Sequence, residues 1–292
     1  MRIGILTRNR NSWSSTQLQD ALRRHHVPCV CFNFSELVAR VAYKPYFNVR
    51  NIRIFDELDA MVVRPIGRGS LEEIIFRMNM LRRLERLGLY VVNPPEAIEQ
   101  CADKYSLLSI LEENDIPVPR TAATESAVEA LKVFHELGED VIVKPLFGSR
   151  GIGSTRINDM EVATTIFRAL AFHHTVIHLQ EFIPHGFSDI RAFVIGDQVV
   201  AAMKRMGNTW KTNYSQGAKP VLLKLDRTLK KMAIKSANLS NCKIAGVDIL
   251  DSSRGPLCVE VNSQPGWKGL QSVNTLNIAE KIVDFVTSEL KR

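Results

Sequence analysis

The 292-residue sequence lacks several features that would assign it at once to a common class of protein. It has no apolar run of membrane-spanning length, and the run from Met1 to Thr7 is too short for a signal peptide. We therefore expect a cytoplasmic protein with no membrane partner. No internal repeat or low-complexity tract is present. The composition, 45% hydrophobic and 24% charged, is ordinary for a globular protein with a sizeable core.

Cysteine and histidine are few, and their spacing does not favour a zinc site or a disulfide framework. The five cysteines are odd in number, and no pair has C-x-x-C spacing. Cys29 and Cys31 fall on one face of a strand-like run, which predicts packed thiols. His174 and His178 are four residues apart, but the stretch into Phe182 predicts a strand, and no third ligand is near.

Acidic residues are outnumbered by basic ones, 31 to 38, which gives a net charge of +7. The resulting pI of about 9.2 suits either nucleic acid or a small polyanionic ligand. The basic residues are scattered among predicted helices, and no basic tract is interleaved with aromatic residues. A small polyanion is therefore favoured over nucleic acid. Salt-sensitive binding to nonspecific duplex would support the alternative.

Strand and helix signals alternate through residues 1–95, which predicts a doubly wound parallel α/β domain. Strands are expected at residues 2–7, 28–34, 59–63 and 89–92. A capping box opens a helix with an apolar side formed by Leu71, Ile74, Ile75, Met78, Leu81 and Leu84. Pro94 and Pro95 are expected to stop the last strand of this domain.

The remainder of the chain is expected to form two further domains. Helices near 104–113 and 125–137 and a strand at 141–145 belong to the first of them. The last region is rich in strands and closes with a helix capped by Asn277. The expected domains are therefore residues 1–95, 96–186 and 187–292.

Two β-rich runs near the C-terminus, Ile244–Leu250 and Pro256–Asn262, surround a short loop and predict an antiparallel hairpin. With the turn centred on Arg254, we expect Asp248 directly opposite Glu260. Like charges in that position destabilise a sheet unless a cation lies between them. A hard divalent ion with oxygen ligands, Mg²⁺ first among them, fits this place. The alternative is that both acids face water on a solvated strand.

Alternation along the second strand adds an amide to the candidate ligands. Side chains alternate across a strand, so Glu260 and Asn262 are expected on one face and Val259 and Val261 on the other. The hairpin therefore predicts that two carboxylates and an amide, those of Asp248, Glu260 and Asn262, meet on one face.

A glycine-rich loop follows the strand that ends at Lys144. Gly148, Gly151 and Gly153 would let backbone N–H groups approach an anion, and Ser149 could add a hydroxyl. The loop runs into a strand-like segment rather than a helix, so it matches neither a Walker motif nor a dinucleotide fingerprint. A glycine loop between two strands resembles a hairpin lid over a triphosphate.

Two further segments are ambiguous when taken singly. Lys104 begins a predicted amphipathic helix and could be a surface charge. The strand Gln180–Pro184 ends at a proline, so backbone groups beyond Glu181 could bond an adenine edge. A plain domain hinge is the alternative for that segment.

The order of these segments is more specific than any one of them. The chain carries D-I-R-x-F-V-x-G, W-K-T-N, A-G-V-D-I-L and E-V-N-S-x-P-G after the two lysines and the glycine loop. In this order they resemble the ATP-grasp superfamily, and more narrowly the RimK-type ligases, over nearly the whole chain. The resemblance implies an α/β ATP-grasp fold with an N-terminal doubly wound parallel-sheet domain, the pre-ATP-grasp domain.

The resemblance also implies a role for each matched residue. ATP would be bound by Lys104, Lys144, Gly148, Ser149, Arg150, Gly151, Gly153, Glu181, Phe182, Ile183 and Asp189, with Glu181 and Phe182 presenting backbone groups to adenine. The γ-phosphate and the reacting carboxylate would be surrounded by the catalytic residues Arg205, Lys211 and Asn213. Asp248, Glu260 and Asn262 would hold Mg²⁺, or Mn²⁺ in its place, with two ions per site. One departure is visible, since Asn213 is not followed by the double glycine common in the family.

The implied activity is ATP-dependent amide-bond formation through an acyl phosphate, with release of ADP and phosphate. L-glutamate would be joined to a carboxylate-bearing acceptor, and a homo-oligomer is compatible with the sequence. The segment from Glu260 to Lys281 is similar to archaeal α-L-glutamate ligases acting on methanopterin-type coenzymes. Other acceptors in the family are a ribosomal protein C-terminus, a deazaflavin coenzyme and an amino-group-carrier protein of lysine biosynthesis.

Arg64 and Arg68 follow a strand end, where open α/β sheets place ligands. We hypothesise that they hold the acceptor's carboxylates, with an ordinary basic loop as the alternative. A regulatory protein that binds nucleotide without ligation is disfavoured, because the three candidate metal ligands are all present.

Overall fold

The computed structural model describes residues 1–148 and 151–291. Its helices are α1 (Trp13–Arg24), α2 (Ile54–Glu57), α3 (Leu71–Arg86), α4 (Pro95–Ala102), α5 (Lys104–Glu113), α6 (Ala127–Glu136), α7 (Met160–Phe172), α8 (Arg227–Leu239), α9 (Lys268–Val273) and α10 (Ile278–Glu289). Within these residues no helix combines the length and the apolar character needed to cross a bilayer.

The strands fall into four sheets. In chain order they are β1 (Ile3–Leu6), β2 (Cys29–Phe32), β3 (Leu37–Ala39), β4 (Phe47–Val49), β5 (Ile52–Arg53), β6 (Ala60–Val63), β7 (Tyr90–Val92), β8 (Thr121–Thr124), β9 (Val141–Lys144), β10 (Thr155–Ile157), β11 (Ile177–Glu181), β12 (Ser188–Ile195), β13 (Gln198–Met206), β14 (Lys219–Leu222), β15 (Ile244–Ser252) and β16 (Gly255–Asn262).

The N-terminal sheet is parallel and has the order β2-β1-β6-β7. Ile3 and Ile5 of β1 pack with α1 and α10 on one face, whereas Leu6 and Val63 pack with α3 on the other. Helices therefore cover both faces, as expected for parallel strands buried on both sides. The predicted doubly wound domain is confirmed. A small antiparallel sheet of β3, β4 and β5 is added beside it.

One helix in this region was not predicted, and one helix prediction needs correction. The last strand ends before Pro94, as expected, and helix α4, which was not predicted, begins at Pro95. Proline is favoured at the first position of a helix, because its missing N–H would have no partner there. In α3, Leu81 and Leu84 are buried as predicted, but Leu71 and Ile75 are 77% and 50% exposed. The first turns of α3 therefore extend beyond the core.

The central sheet is antiparallel with the order β10-β9-β11-β8. Helices α6 and α7 cover one face, where the rings of Phe134 and Phe167 meet edge to face at 6.2 Å. The glycine-rich segment joins β9 to β10, as predicted for a loop between two strands. Helix α5 has the predicted bounds, and Asp103 caps it by accepting from the Tyr105 and Ser106 N–H groups.

The C-terminal sheet is antiparallel with the order β14-β13-β12-β15-β16. Asp248 lies directly opposite Glu260, as predicted, but the turn is not centred on Arg254. Ser252 pairs with Gly255, and a register shift beyond Asp248 leaves Val259 as the extra residue of a β-bulge. The bulge restores the pairing that the predicted turn would have given.

The bulge also overturns part of the predicted alternation. Val259 faces the same cleft as Glu260, whereas Val261 is buried in the core with Cys258. Val259 and Val261 therefore do not share a face, because an extra residue in one strand shifts the side-chain alternation by one.

Asn93, just after β7, ties the N-terminal sheet to both outer ends of the C-terminal hairpin. Its amide oxygen accepts from the N–H groups of Lys243 and Ile244 at 2.7 and 2.9 Å. Its amide nitrogen donates to the carbonyl oxygens of Ile244 and Ser263. Asn93 is buried, so these bonds form away from water, where an unmet polar group would be costly.

Candidate active site

A cleft lies between the central and C-terminal sheets. Predicted site residues in its wall are Lys104, Lys144, Gly148, Gly151, Glu181, Ile183, Asp189, Arg205, Lys211, Asn213, Asp248 and Glu260. Its volume is about 110 Å³, below the roughly 300 Å³ of a typical ligand pocket.

Lys144 is one of the cations in the wall of this cleft. It ends β9, and its Nζ donates to Gln180 Oε1 on the neighbouring strand at 2.5 Å. Burial lowers the pKa of Lys144 to about 8, and attraction to Glu260 only partly offsets it. No ion pair joins Lys144 to a carboxylate within residues 1–148 and 151–291. A polyanion would supply the missing negative charge.

Lys104 lies at the start of α5 and points to the base of the glycine-rich loop. Its Nζ donates to the carbonyl oxygens of Leu146 and Gly148, both at 3.2 Å. Burial lowers its pKa, and Glu260 and Asp103 oppose the shift. The two lysines predicted from the sequence are thus brought to one side of the cleft.

Four side chains on three adjacent strands form a buried ion network. Both carboxylate oxygens of Asp248 accept from Arg191, and Asp248 also lies 3.0 Å from the Arg205 guanidinium. Arg205 donates in turn through two nitrogens to Asp189. Bidentate pairs of this kind are the strongest that arginine makes. Asp189 and Arg205, predicted at the nucleotide, are therefore held in place by each other.

Glu260 is in a different electrostatic position from Asp248. Burial raises the pKa of Glu260, and repulsion from Asp248 adds to the effect, against attraction to Arg191 and the lysines. For Asp248, burial also opposes ionisation, but Arg191 and Arg205 outweigh it, so its pKa is lowered. Glu260 is thus a carboxylate in need of a further positive charge.

These residues fit a divalent cation. A cation beside Glu260 would relieve the repulsion that raises its pKa. Asn262 does not line the cleft, unlike Asp248 and Glu260; its amide nitrogen donates to the Gly246 carbonyl at 3.4 Å, and its amide oxygen would be the ligand atom. Asp248 could take part only by sharing oxygens that two arginines already contact. Carboxylate and amide oxygens are the ligands that Mg²⁺ and Mn²⁺ prefer.

The predicted adenine contacts need correction at one point. The N–H groups of Glu181 and Phe182 are already used, since they donate to the carbonyl oxygens of Arg120 and Asp140 at 2.9 Å. Only carbonyl oxygens of these two residues remain for a base. The Phe182 ring lies under the Arg156 guanidinium at 3.5 Å, and Phe182 does not line the cleft, whereas Ile183 does.

The side chain of Glu181 has a separate role. It is buried and accepts from Arg120, at both the backbone N–H and the side-chain Nε, and from Arg254 in the hairpin turn. The strand beside the expected base is thereby joined to the hairpin that carries Asp248 and Glu260. An acid between two guanidiniums is firmly ionised, and its pKa is lowered against the effect of burial.

Gly151 of the glycine-rich segment lies against Asn213, in the segment after β13. Gly151 has a positive φ of 69°, and a methyl group there would overlap the Asn213 amide oxygen. Gly153, with φ of 80°, packs on Pro145 instead and does not line the cleft. The predicted site residues Ser149 and Arg150 lie outside the described residues. Residues Tyr214–Gln216 form a 3₁₀ turn that ends at Gly217, where the family's double glycine is missing.

Several residues that line the cleft or pair with its acids were not predicted from the sequence. Gln180 binds Lys144, and strand alternation could have placed it on the cleft face. Arg191 pairs with Asp248 because β12 and β15 are neighbours, a long-range register that no local pattern shows. Trp210 lines the cleft beside Lys211, whose Nζ lies 5.1 Å from the indole ring.

The structure is compatible with an acceptor-binding role for Arg68 but not for Arg64. Arg64 is 6% exposed, donates to the Pro265 carbonyl at 2.9 Å and lies 4.8 Å over the Trp267 ring. Burial lowers its pKa to about 10. Arg64 therefore connects the N-terminal sheet to the segment after Asn262. Arg68, in contrast, is exposed.

Two antiparallel sheets that close on a cleft, with lysines in one wall and acids in the other, define an ATP-grasp enzyme. Comparison with protein families gives the same class. The RimK-like ATP-grasp domain matches residues 101–286, and the RimK PreATP-grasp domain matches residues 1–98. The chain belongs to the RimK-like ATP-grasp family and is an ATP-dependent ligase, as the sequence predicted.

Curated relatives are α-L-glutamate ligases. Tetrahydromethanopterin:alpha-L-glutamate ligase of Methanococcus maripaludis is 33% identical, with 97% of each chain covered. The protein of that name from Methanocaldococcus jannaschii is also 33% identical, over the whole of both chains. A probable alpha-L-glutamate ligase of Aliivibrio fischeri is 33% identical and covers 100% of this chain and 98% of its own.

Solved structures share the fold at lower identity. ATP-grasp ligase PsnB complexed with a minimal precursor superposes with a TM-score of 0.79 and 18% identity, over 99% of both chains. The RimK domain protein of Sphaerobacter thermophilus gives a TM-score of 0.77 and 21% identity, over 98% of this chain and 99% of its own. The predicted α/β ATP-grasp fold is confirmed.

Proposed function

We propose that this ligase joins L-glutamate to a carboxylate-bearing acceptor of the methanopterin coenzyme type, by way of an acyl phosphate. The observation that carries the proposal is the juxtaposition of the under-compensated cation Lys144 with the acidic pair Asp248 and Glu260 in one cleft. The choice of glutamate and acceptor is supported by the names of two relatives that are 33% identical over nearly full length.

Each step of the reaction places a demand on the cleft. The acceptor's carboxylate oxygen attacks the γ-phosphorus of ATP, and ADP leaves. The α-amino nitrogen of glutamate then attacks the acyl carbon, loses a proton, and phosphate leaves as the amide forms. Lys104 and Lys144 neutralise the phosphates, and Lys211, Asn213 and Arg205 hold the γ-phosphate and the reacting carboxylate. Catalysis of this kind consists mainly of positioning and charge neutralisation.

A divalent cation supplies further neutralisation of the phosphates when it is bound. Asp248, Glu260 and Asn262 are the residues that would hold it. Arg191 and Arg205 orient the Asp248 carboxylate, because both of its oxygens are engaged by guanidinium groups. Adenine would lie against Ile183 and donate to a carbonyl oxygen of the segment 181–182, and Asp189 would lie near the ribose.

The acceptor is expected on the opposite side of the cleft from adenine. Arg68 follows β6, at the carboxyl edge of the N-terminal sheet, and its loop is fixed by Arg77, which donates to the carbonyl oxygens of Ile66 and Arg68. Beside it, Arg8 packs against Gly67, whose positive φ of 89° and missing side chain make room for it. We assign an acceptor carboxylate to Arg68 and a structural role to Arg64.

The decisive experiment is a coupled ADP-release assay with L-glutamate and a panel of acceptors. The panel should contain methanopterin-type and deazaflavin coenzymes, a ribosomal-protein C-terminal peptide and an amino-group-carrier protein. Mass spectrometry should show one or more added glutamyl units on the methanopterin-type acceptor. Glutamylation of another member alone would overturn the acceptor assignment and leave the ligase assignment intact.

Two variants test the metal ligands in the same assay. Asp248→Asn and Glu260→Gln should abolish Mg²⁺-dependent ADP release while the protein stays folded. Asp251→Asn is the matched control, since Asp251 is an exposed acid on the same strand β15. Full turnover in both active-site variants would contradict the assignment of Asp248 and Glu260 as metal ligands.

A further inference from the structure

One part of the cleft wall is apolar, beside the charged groups. It consists of Ile142 and Ile183 on the side of the central sheet, and of Leu250 and Val259 on the C-terminal hairpin. Ile142 lies two residues before Lys144 on β9, and Leu250 lies two residues beyond Asp248 on β15. Each is therefore about 7 Å along its strand from the charged side chain. An apolar pocket of this kind suits the base of a nucleotide, and we call the four apolar side chains the base slot.

Arg254 joins the two walls next to the base slot. It lies in the turn of the hairpin that carries Leu250 and Val259, and its guanidinium donates to the Glu181 carboxylate. Glu181 ends β11, two residues before Ile183. Within residues 1–148 and 151–291, no other ion pair connects the central sheet to the C-terminal sheet. The spacing of the two walls at this place therefore depends on Arg254.

The link is held in place from both ends. In the hairpin turn, the Ser252 hydroxyl accepts from the Arg254 N–H at 3.1 Å and donates to the Gly255 carbonyl at 2.6 Å. At the other end, the Glu181 side chain is only 7% exposed, and a buried carboxylate is costly without its partners. Arg254 is thus fixed by its own turn and by the acid that it binds.

A second arginine binds the same carboxylate without crossing the cleft. Arg120 immediately precedes β8, and its Nε donates to Glu181 at 2.8 Å. The backbone of Arg120 is also paired with that of Glu181, so this contact lies within the central sheet. The two arginines are similarly exposed, 56% for Arg120 and 51% for Arg254. They differ in that only Arg254 reaches the carboxylate from the hairpin.

We propose that Arg254 is a positioning residue for the base of ATP, which acts through Glu181 to hold the hairpin wall of the base slot against the wall at Ile183. Arg254 itself does not line the cleft. A slot whose walls are already in place spares the nucleotide the cost of ordering them, so the link strengthens binding. The inference rests on the proposed function for the location of adenine, and it requires nothing of glutamate or the acceptor.

The link should act on the base and not on the phosphates. Near the lysines the two walls meet at a separate contact, where Gly151 lies against Asn213. Loss of Arg254 leaves that contact in place. It should therefore weaken nucleotide binding without changing the chemical step, which raises KM and leaves kcat unaltered.

Isothermal titration calorimetry with MgATP, in the absence of glutamate and acceptor, tests the link. Arg254→Gln should raise the Kd for ATP about fivefold, and the KM for ATP with it, while kcat stays within about twofold. Arg254→Lys keeps the charge and should recover part of the loss. Arg120→Gln is the matched control and should leave the Kd within about twofold of the unmodified chain. Equal weakening by Arg254→Gln and Arg120→Gln would show that the crossing to the hairpin is irrelevant, and would overturn the proposal.

Inorganic triphosphate separates the two parts of the cleft, because it carries the phosphates of ATP without a base. Its Kd, measured by competition with ATP, should be the same in Arg254→Gln as in the unmodified chain. A rise equal to that for ATP would refute a role at the base. Unchanged ATP affinity in Arg254→Gln would overturn the role of Arg254 alone, whereas an unmodified chain that bound neither ligand would contradict the proposed function itself.

Discussion

Asp248 and Glu260 lie directly opposite each other across the hairpin, yet the pKa values of their carboxyl groups are shifted in opposite directions. The two guanidiniums on Asp248 outweigh the effect of its burial and lower its pKa. The pKa of Glu260 is raised by burial and by Asp248 itself. The negative charge of Asp248 is therefore compensated by the protein's own arginines, whereas that of Glu260 would be compensated by a bound cation.

The isosteric amide variants of this pair should change stability with opposite signs. The pKa of Asp248 is lowered, so its ionised form stabilises the fold above the pKa of an unfolded aspartate. Asp248→Asn should therefore reduce the free energy of unfolding at pH 7.5 by about 2–4 kcal/mol, since Arg191 loses its carboxylate partner and Arg205 keeps only Asp189. Glu260 has a raised pKa, and the fold loses stability as pH rises through that pKa. Glu260→Gln should therefore increase the free energy of unfolding by about 1 kcal/mol.

Urea unfolding with a chelator present measures both values. A change of the same sign in the two variants would contradict the electrostatic description of the pair.

Lys144→Met should stabilise the protein while impairing ATP use. The pKa of Lys144 is lowered to about 8, against 10.5 for an ordinary lysine. Between these values the unfolded chain binds more protons, so the free energy of unfolding rises with pH. Methionine removes this dependence and should add about 2 kcal/mol below pH 8. Urea unfolding at pH 7 and pH 10 checks the effect, and the KM for ATP should rise.

Lys132→Met provides the control for this substitution, because Lys132 is 62% exposed on α6. It should leave stability within about 0.5 kcal/mol of the unmodified chain at either pH. A stabilisation by Lys144→Met that persists unchanged at pH 10 would show that charge burial is not its cause.

Gly151→Ala should reduce turnover, and its effect on stability should be no larger than that of a control glycine substitution. The added methyl group would overlap the Asn213 amide, so the loop could no longer lie against the segment after β13. Gly138→Ala is a matched control, because Gly138 has a positive φ of 88° but open space around it. Both substitutions should cost about 1–2 kcal/mol of backbone strain. Only the first should reduce kcat/KM for ATP, and equal kinetic effects would exclude a role for the contact.

Arg64 and Arg68 can be separated by comparing stability with kinetics. Arg64→Met removes the bond to Pro265 and the stacking on Trp267, and should lower the free energy of unfolding by about 1–3 kcal/mol. Arg68→Gln should leave stability unchanged and raise the KM for the acceptor, with the KM for ATP unaltered. An unchanged acceptor KM would exclude Arg68 from the acceptor site.

The sequence predicted the parts of the site that depend on local pattern. The strand that ends at Lys144, the helix that starts at Lys104 and the facing of Asp248 and Glu260 were all expected and found. Spacing of two residues along a strand is enough to place side chains on a face. The three-domain division and the roles of the site residues remain predictions.

Features that depend on distant parts of the chain were not predicted. The pairing of Arg191 with Asp248, which are 57 positions apart in sequence, requires β12 to lie beside β15. The bulge at Val259 interrupts the two-residue alternation of side chains along β16, and no residue type in this strand predicts it. The use of the Phe182 N–H by Asp140 likewise appears only when the central sheet is assembled.

The four hydrogen bonds of Asn93 bear on how this chain could be divided. They pair with backbone groups of Lys243 just before β15, of Ile244 at its start and of Ser263 just beyond β16. A fragment that begins after Asn93 would present those groups to water, and the base of the hairpin would lose the bridge between Ile244 and Ser263. The C-terminal part of the chain therefore depends on the N-terminal domain for its structure. If residues up to Asn93 and the rest of the chain are expressed as separate fragments, catalysis should return only when the two fragments are mixed.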